Sequence, residues 1–129
     1  MKILDKIISA DFESRTAVAI GCFDGVHIGH REVIKKILDK KKQGMTPVVF
    51  TFVRNPKSIF DKKCREIIPL NQKYKILSDM GVDVVYSIDF LSIKNLSPDE
   101  FVRDVLSGKL NAGYVSCGFN FRFGRGGRA

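Results

Sequence analysis

His27 and His30 are the only histidines among the 129 residues, and they stand three apart in the run GCFDGVHIGH at residues 21–30. Before that run, residues 16–20 (TAVAI) are short, apolar and β-branched; after it, Val33, Ile34, Ile37 and Leu38 recur at helical spacing among charged residues. The run is therefore a turn from a strand into a helix. The first backbone N–H groups of a helix lack intrahelical acceptors, and with the helix dipole they form a site for phosphate. Imidazoles at that opening can donate hydrogen bonds to phosphate oxygens, and glycines at 21, 25 and 29 permit close backbone approach.

Duller readings compete with this one. Asp24-Gly25 between apolar residues suits a hairpin turn, and an isolated histidine is usually a surface residue with no chemistry. A hairpin needs a second strand after Gly25, whereas residues 31–42 carry a period of about 3.6 and no β-alternation. The anion site is therefore the better reading. Zinc is disfavoured, because no third cluster of Cys, His or carboxylate stands at ligand spacing, and no metal ligands are assigned.

The elements that must position this opening follow from pattern. Residues 1–8 alternate weakly and suit an edge strand. After the first helix, Gln43-Gly44 ends it, with Gly44 as a left-handed residue past its last turn. Residues 46–53 (TPVVFTFV) form a second buried strand. Residues 54–70, with Pro56 and Pro69, read as a long loop of the kind that is often functional. Asn71 can cap a helix running to Met80, with Tyr74, Ile76, Leu77 and Met80 as its apolar members and Gly81 closing it. Residues 82–88 (VDVVYSI) give a third strand. Ser97, Pro98 and Glu100 make a capping box, with Leu96 and Phe101 as its hydrophobic staple. Phe101, Val102, Val105 and Leu106 supply that helix's buried stripe, and Gly108 its end. Residues 112–117 (AGYVSC) are a fourth core strand.

This order of strands and helices is that of a Rossmann-like α/β fold, a doubly wound, mostly parallel sheet. Ligands of such sheets sit beyond the carboxyl ends of the strands. Three chemistry-bearing stretches lie there: residues 21–30, residues 54–56 and residues 118–127.

GCFDGVHIGH resembles the HxGH signature of nucleotidylyltransferases. Its GxFDGVHxGH form is similar to the FMN adenylyltransferase module of bacterial bifunctional riboflavin kinase/FAD synthetases. TFVRNP at 51–56 is similar to that family's TFxPHP, and GFNFRFGRGG at 118–127 to its GxxFxFGxxxxG. HxGH alone is shared with cytidylyltransferases, pantetheine-phosphate adenylyltransferases and class I aminoacyl-tRNA synthetases; the other two stretches narrow the resemblance to flavin.

The resemblance implies an enzyme that transfers the adenylyl group of ATP to FMN, giving FAD and pyrophosphate, with Mg²⁺ bridging the ATP phosphates. It implies His27 and His30 as catalytic. It implies ATP contacts from Gly21, Phe23, Asp24, Gly25, His27, Gly29, His30 and Asn120. Flavin contacts would come from Asn55, Pro56, Phe60 and Phe123, with Arg122 or Arg125 facing phosphates. Asn55 stands where the family usually has histidine, so a donor remains without the charge; Cys22 replaces a frequent asparagine. The sequence stops before the family's SSTxxR-like stretch. The resemblance thus implies a single domain over residues 1–129 that is C-terminally truncated, lacking its fifth strand. The riboflavin kinase domain expected in cis would be absent. A non-catalytic fragment that holds ATP or flavin, and a transferase for another phosphorylated acceptor, are the alternatives.

Residues 118–128 admit other readings. FGRGGRA fits G-x-G-x-x-A, but a dinucleotide fingerprint needs a helix to follow. A single RGG among aromatics is weak support for RNA, and nucleic acid is not the expected partner. Alternation assigns at least one of Phe119, Phe121 and Phe123 to core packing.

Composition bounds the rest. With 44% hydrophobic and 28% charged residues the chain reads as globular. The charge-free run at residues 16–23 is far short of the ~20 apolar residues of a membrane helix. Asp5 and Lys6 interrupt any signal-peptide core, so the expected location is cytoplasmic and no membrane partner is expected. Cys22, Cys64 and Cys117 are widely spaced without a CxxC pair and read as reduced, mostly structural thiols. A net charge of +8 suits polyanions in general. The lysines at 35, 36, 40, 41 and 42 read as a solvated helix face.

Overall fold

A computed structural model describes residues 1–8, 14–21, 28–53, 70–93 and 95–117, apart from the side chains at 28–30, 70 and 90. Its strands are β1 (Lys2–Leu4), β2 (Thr16–Ile20), β3 (Thr46–Phe52), β4 (Val84–Ile88) and β5 (Ala112–Cys117). They form one sheet of order β1-β4-β3-β2-β5 in which every pair is parallel. Helix α1 (Ile28–Asp39) joins β2 to β3, and α2 (Leu70–Met80) precedes β4.

Strands buried on both faces need apolar side chains on both, which is why β2 and β4 read as continuous runs rather than alternating ones. Along β2, Ala17 and Ala19 face a cluster with Val33, Ile34 and Ile37 of α1 and Leu77 of α2. Val18 and Ile20 face the opposite cluster with Phe101, Val105, Leu106 and Leu110. Small residues lie under α1 and α2, bulky ones on the other side. Helices thus cover both faces, as the doubly wound reading requires.

Phe50 sits at the centre of the second cluster. Its ring stacks on Tyr86 with centroids 6.1 Å apart and meets Phe101 edge-on at 5.3 Å. Such offset and edge-on pairs add specific geometry to the area they bury.

The local signals place the helix ends. Gly44 (φ 83°) and Gly81 (φ 102°) both adopt the left-handed conformation that glycine enters without a Cβ penalty. Ser97 Oγ accepts the Glu100 N–H at 3.1 Å, and Pro98 follows in the first helical position. Leu96 packs against the cluster that contains Phe101, as a staple would.

Expectations for the last two helices are corrected. The helix begun by Pro98–Glu100 continues over Phe101–Lys109 with π winding, so Leu110 N–H bonds to the carbonyl five residues back, Val105 O, at 3.0 Å. Wider winding turns Val102 outward, 55% exposed, and adds Leu110 to the buried stripe. Gly108 does not end this helix, which we call α3; Asn111 does, with φ 53° and its Nδ2 donating to Ser14 O. Asn71, expected as a cap, lies within the first turn of α2.

Strand β5 is an edge strand among the described residues rather than a core strand. Its register slips between Thr16 and Ala17, so Gly113 is an extra residue opposite that step. A Cβ at Gly113 would approach Arg15 Cδ to 2.9 Å, which explains a glycine in a strand. Strand β1 lies at the other edge of the sheet among the described residues, paired with β4.

Candidate functional site

Because the strands are parallel, their carboxyl ends lie at one edge of the sheet. The chain proceeds from β2 to β3 to β4 in one direction, then returns under α3 to place β5 on the other side of β2. The order therefore reverses between β2 and β5, and the crevice beyond such a reversal is where open α/β sheets bind ligands. Ile20 and Cys117 are register partners, so residues 21 and 118 follow from neighbouring strand ends.

Gly21 is buried, and its N–H donates to Phe50 O at 3.2 Å, extending the β2–β3 ladder one residue past β2. Helix α1 then begins at Ile28, with Gly29 and His30 in its first turn. Since α1 runs from the end of β2 back to the start of β3, its N-terminus lies at the carboxyl edge. Its first turn carries no acidic residue, so no carboxylate of its own neutralises the positive end of the dipole. The positive end of the α1 dipole therefore lies at the carboxyl edge of the sheet.

Of the expected site residues, Gly21, Gly29 and His30 lie on described backbone. Phe23, Asp24, Gly25, His27, Asn55, Pro56, Phe60, Asn120 and Phe123 lie outside the described residues, as do Arg122 and Arg125. The long loop expected at residues 54–70 falls there too, except for Leu70.

Sequence reasoning passed over a buried polar layer at the same edge. Thr51 of β3 and Ser87 of β4 are register partners and both are buried. Lys73 of α2, only 6% exposed, reaches Thr51 Oγ1 at 3.2 Å and Phe52 O at 3.1 Å through Nζ. The neighbouring Tyr74 hydroxyl donates to Ser87 Oγ at 2.6 Å. One signal was available: Lys73 lies four residues before the wholly buried Leu77, on the inward stripe of α2.

Cys117, at the end of β5, is an exposed free thiol, contrary to a structural role, and partial desolvation raises its pKa above the ordinary 9.0. It therefore stays protonated at neutral pH and is no ready nucleophile. Among the described residues no three His, Cys, Asp or Glu side chains gather to hold a metal. No helix among them is long and apolar enough to cross a membrane.

A family profile described as FAD synthetase matches residues 9–129. The bifunctional riboflavin kinase/FMN adenylyltransferase of Bacillus subtilis is 34% identical over 123 residues, covering 90% of this chain and 38% of its own length. An FAD synthetase of Listeria monocytogenes is 32% identical, covering 98% of this chain and 53% of its own. The chain thus spans about two fifths to one half of these relatives. A crystal structure titled as a macrolide-efflux protein from Streptococcus pneumoniae matches with a TM-score of 0.80 at 26% identity, over 95% of this chain and 43% of that one.

Proposed function

The chain belongs to the FAD synthetase family, and from that premise we propose that it transfers the adenylyl group of ATP to FMN. A phosphate oxygen of FMN attacks the α-phosphorus of ATP; the bond from that phosphorus to the bridging oxygen breaks, and pyrophosphate leaves with the electron pair. Such transfers need alignment and charge stabilisation more than covalent help. The N–H groups opening α1, with His27 and His30, donate to the phosphoryl oxygens as charge builds there. Gly21, Phe23, Asp24, Gly25, Gly29 and Asn120 hold the nucleotide with the two histidines, and Asn55, Pro56, Phe60 and Phe123 hold the flavin.

The observation that carries this reading is the reversal of strand order between β2 and β5, beyond which the motifs at 21–30 and 118–127 begin. The motif at 51–56 leaves the adjacent strand β3. Mg²⁺ would arrive with ATP and would offset charge on its phosphates. The relatives' names place a riboflavin kinase activity in the same polypeptide as the adenylyltransferase. We extend that arrangement to the protein this chain represents, and place it in the cytoplasm.

Incubation of the purified chain with ATP, Mg²⁺ and FMN tests the proposal. FAD and pyrophosphate in equal amounts are expected. Flavin and ATP binding without product would leave a binding module, and ATP binding with no flavin binding would point to another phosphorylated acceptor.

A further inference from the structure

We infer that Lys73 is a positioning residue for the flavin side of the site, acting through the end of β3. The inference rests on the functional reading above and adds to it a residue of α2 that lies outside the three motifs.

A lysine offers three donors on a flexible stem and keeps its charge hydrated where it can. Burying that ammonium is costly unless hydrogen bonds replace the water. A methionine would fill much the same space without desolvating a charge. Here the head group bonds to Thr51 Oγ1 and Phe52 O, two consecutive residues of β3. The next residue is fixed from the other side, Val53 N–H donating to Ile88 O of β4 at 3.0 Å. Three successive residues are thus held at the point where the chain leaves the sheet. Asn55 follows Val53 by two residues, a reach of at most ~7 Å. The flavin-side residues Asn55 and Pro56 of the proposed function follow this held end of β3 closely in sequence. Tyr74 on Ser87 braces the adjacent strand in the same way, so α2 grips the carboxyl ends of β3 and β4 together.

The variants Lys73→Met and Thr51→Val, singly and together, test this in the whole chain. Three readouts apply: FMN affinity from quenching of flavin fluorescence, ATP affinity by calorimetry, and amide hydrogen exchange at Val53. Lys73→Met should weaken FMN at least about tenfold, the size of a lost charge-assisted hydrogen bond, and leave ATP within about twofold. Val53 exchange should accelerate, while that of Thr16, bonded to Asn111 O near the other edge, should not. Thr51→Val should move the same readouts less, and the double variant should add little to Lys73→Met. If Lys73→Met does not fold, Thr51→Val carries the test through the same split. Equal loss of FMN and ATP affinity, or unchanged Val53 exchange, would make Lys73 an ordinary structural residue and overturn the inference. Wild-type protein that binds ATP but no FMN would overturn the functional reading and the flavin role together. Normal wild-type FMN affinity left unmoved by Lys73→Met would overturn the inference alone.

Discussion

Ile20 and Cys117 stand opposite each other across the parallel β2–β5 pair. The two strands that flank the reversal of order therefore end level, and Gly21 and Gly118 are the residues that follow them in sequence. Separation of these motifs by nearly a hundred residues of sequence is removed by one crossover under α3. The motifs at 21–30 and 118–127 thus continue, in sequence, from the two strands that flank the reversal.

His27→Ala and His30→Ala should each lower FAD formation by ~10²- to 10³-fold, the usual effect of removing one donor to a transition-state oxyanion. ATP affinity should change only a few-fold, because the donated bonds strengthen as charge builds on the phosphoryl oxygens. Turnover at saturating ATP, measured beside ATP titration in an otherwise complete enzyme, checks this. Equal losses in affinity and turnover would reduce the imidazoles to binding groups.

Most of the sheet was legible because parallel, doubly buried strands leave continuous apolar runs such as AVAI at 17–20 and VVYSI at 84–88. Helix ends were legible where glycine or a capping serine marks them, at Gly44, Gly81 and Ser97. The π winding of α3 was not, since periodicity read at 3.6 assigns Val102 to the core, and no residue announces a five-residue hydrogen bond. Lys73 was missed for a related reason: a lysine counts as solvent-facing until a specific acceptor pair, Thr51 Oγ1 and Phe52 O, is seen beneath it. The close approach of Arg15 to Gly113 is a tertiary contact, which no local pattern encodes.

The winding of α3 makes two neighbouring valines unequal. Val105 is buried in the Phe50 cluster, whereas Val102 is 55% exposed. Val105→Ala should cost about 2 kcal/mol, combining lost transfer free energy with a small cavity. Val102→Ala should fall within about 0.5 kcal/mol of wild type. Urea midpoints measure both, and similar values for the two would argue for ordinary α winding.

Gly44 separates backbone strain from crowding. Its φ is 83°, and a Cβ placed there would meet nothing within 4 Å. Gly44→Ala should therefore cost only the left-handed penalty, about 1–2 kcal/mol, and Gly44→Asn less, because asparagine enters that region more readily. A shift in urea midpoint at unchanged slope is the expected signature. Equal destabilisation by both substitutions would mean that something other than conformation is lost.

Alkaline pH should weaken the fold through two groups whose protonated forms are neutral. Tyr86 is wholly buried with its hydroxyl donating to Ile8 O at 2.7 Å, and burial raises its pKa above the ordinary 10.0. Desolvation raises Cys117 above 9.0 in the same sense. As pH climbs, the unfolded chain loses these protons first, so unfolding releases protons and stability falls. The stabilisation is complete below about pH 8, where both groups are protonated in either state, and declines as pH passes 9.0 and then 10.0. Cys117→Ser should flatten the first part of the decline. Tyr86→Phe should flatten the later part and lower the neutral plateau by about 1 kcal/mol, because the bond to Ile8 O goes with the hydroxyl. Urea unfolding at pH 7, 9 and 10.5 distinguishes the two. Parallel curves for wild type and both variants would show that neither group couples proton release to folding.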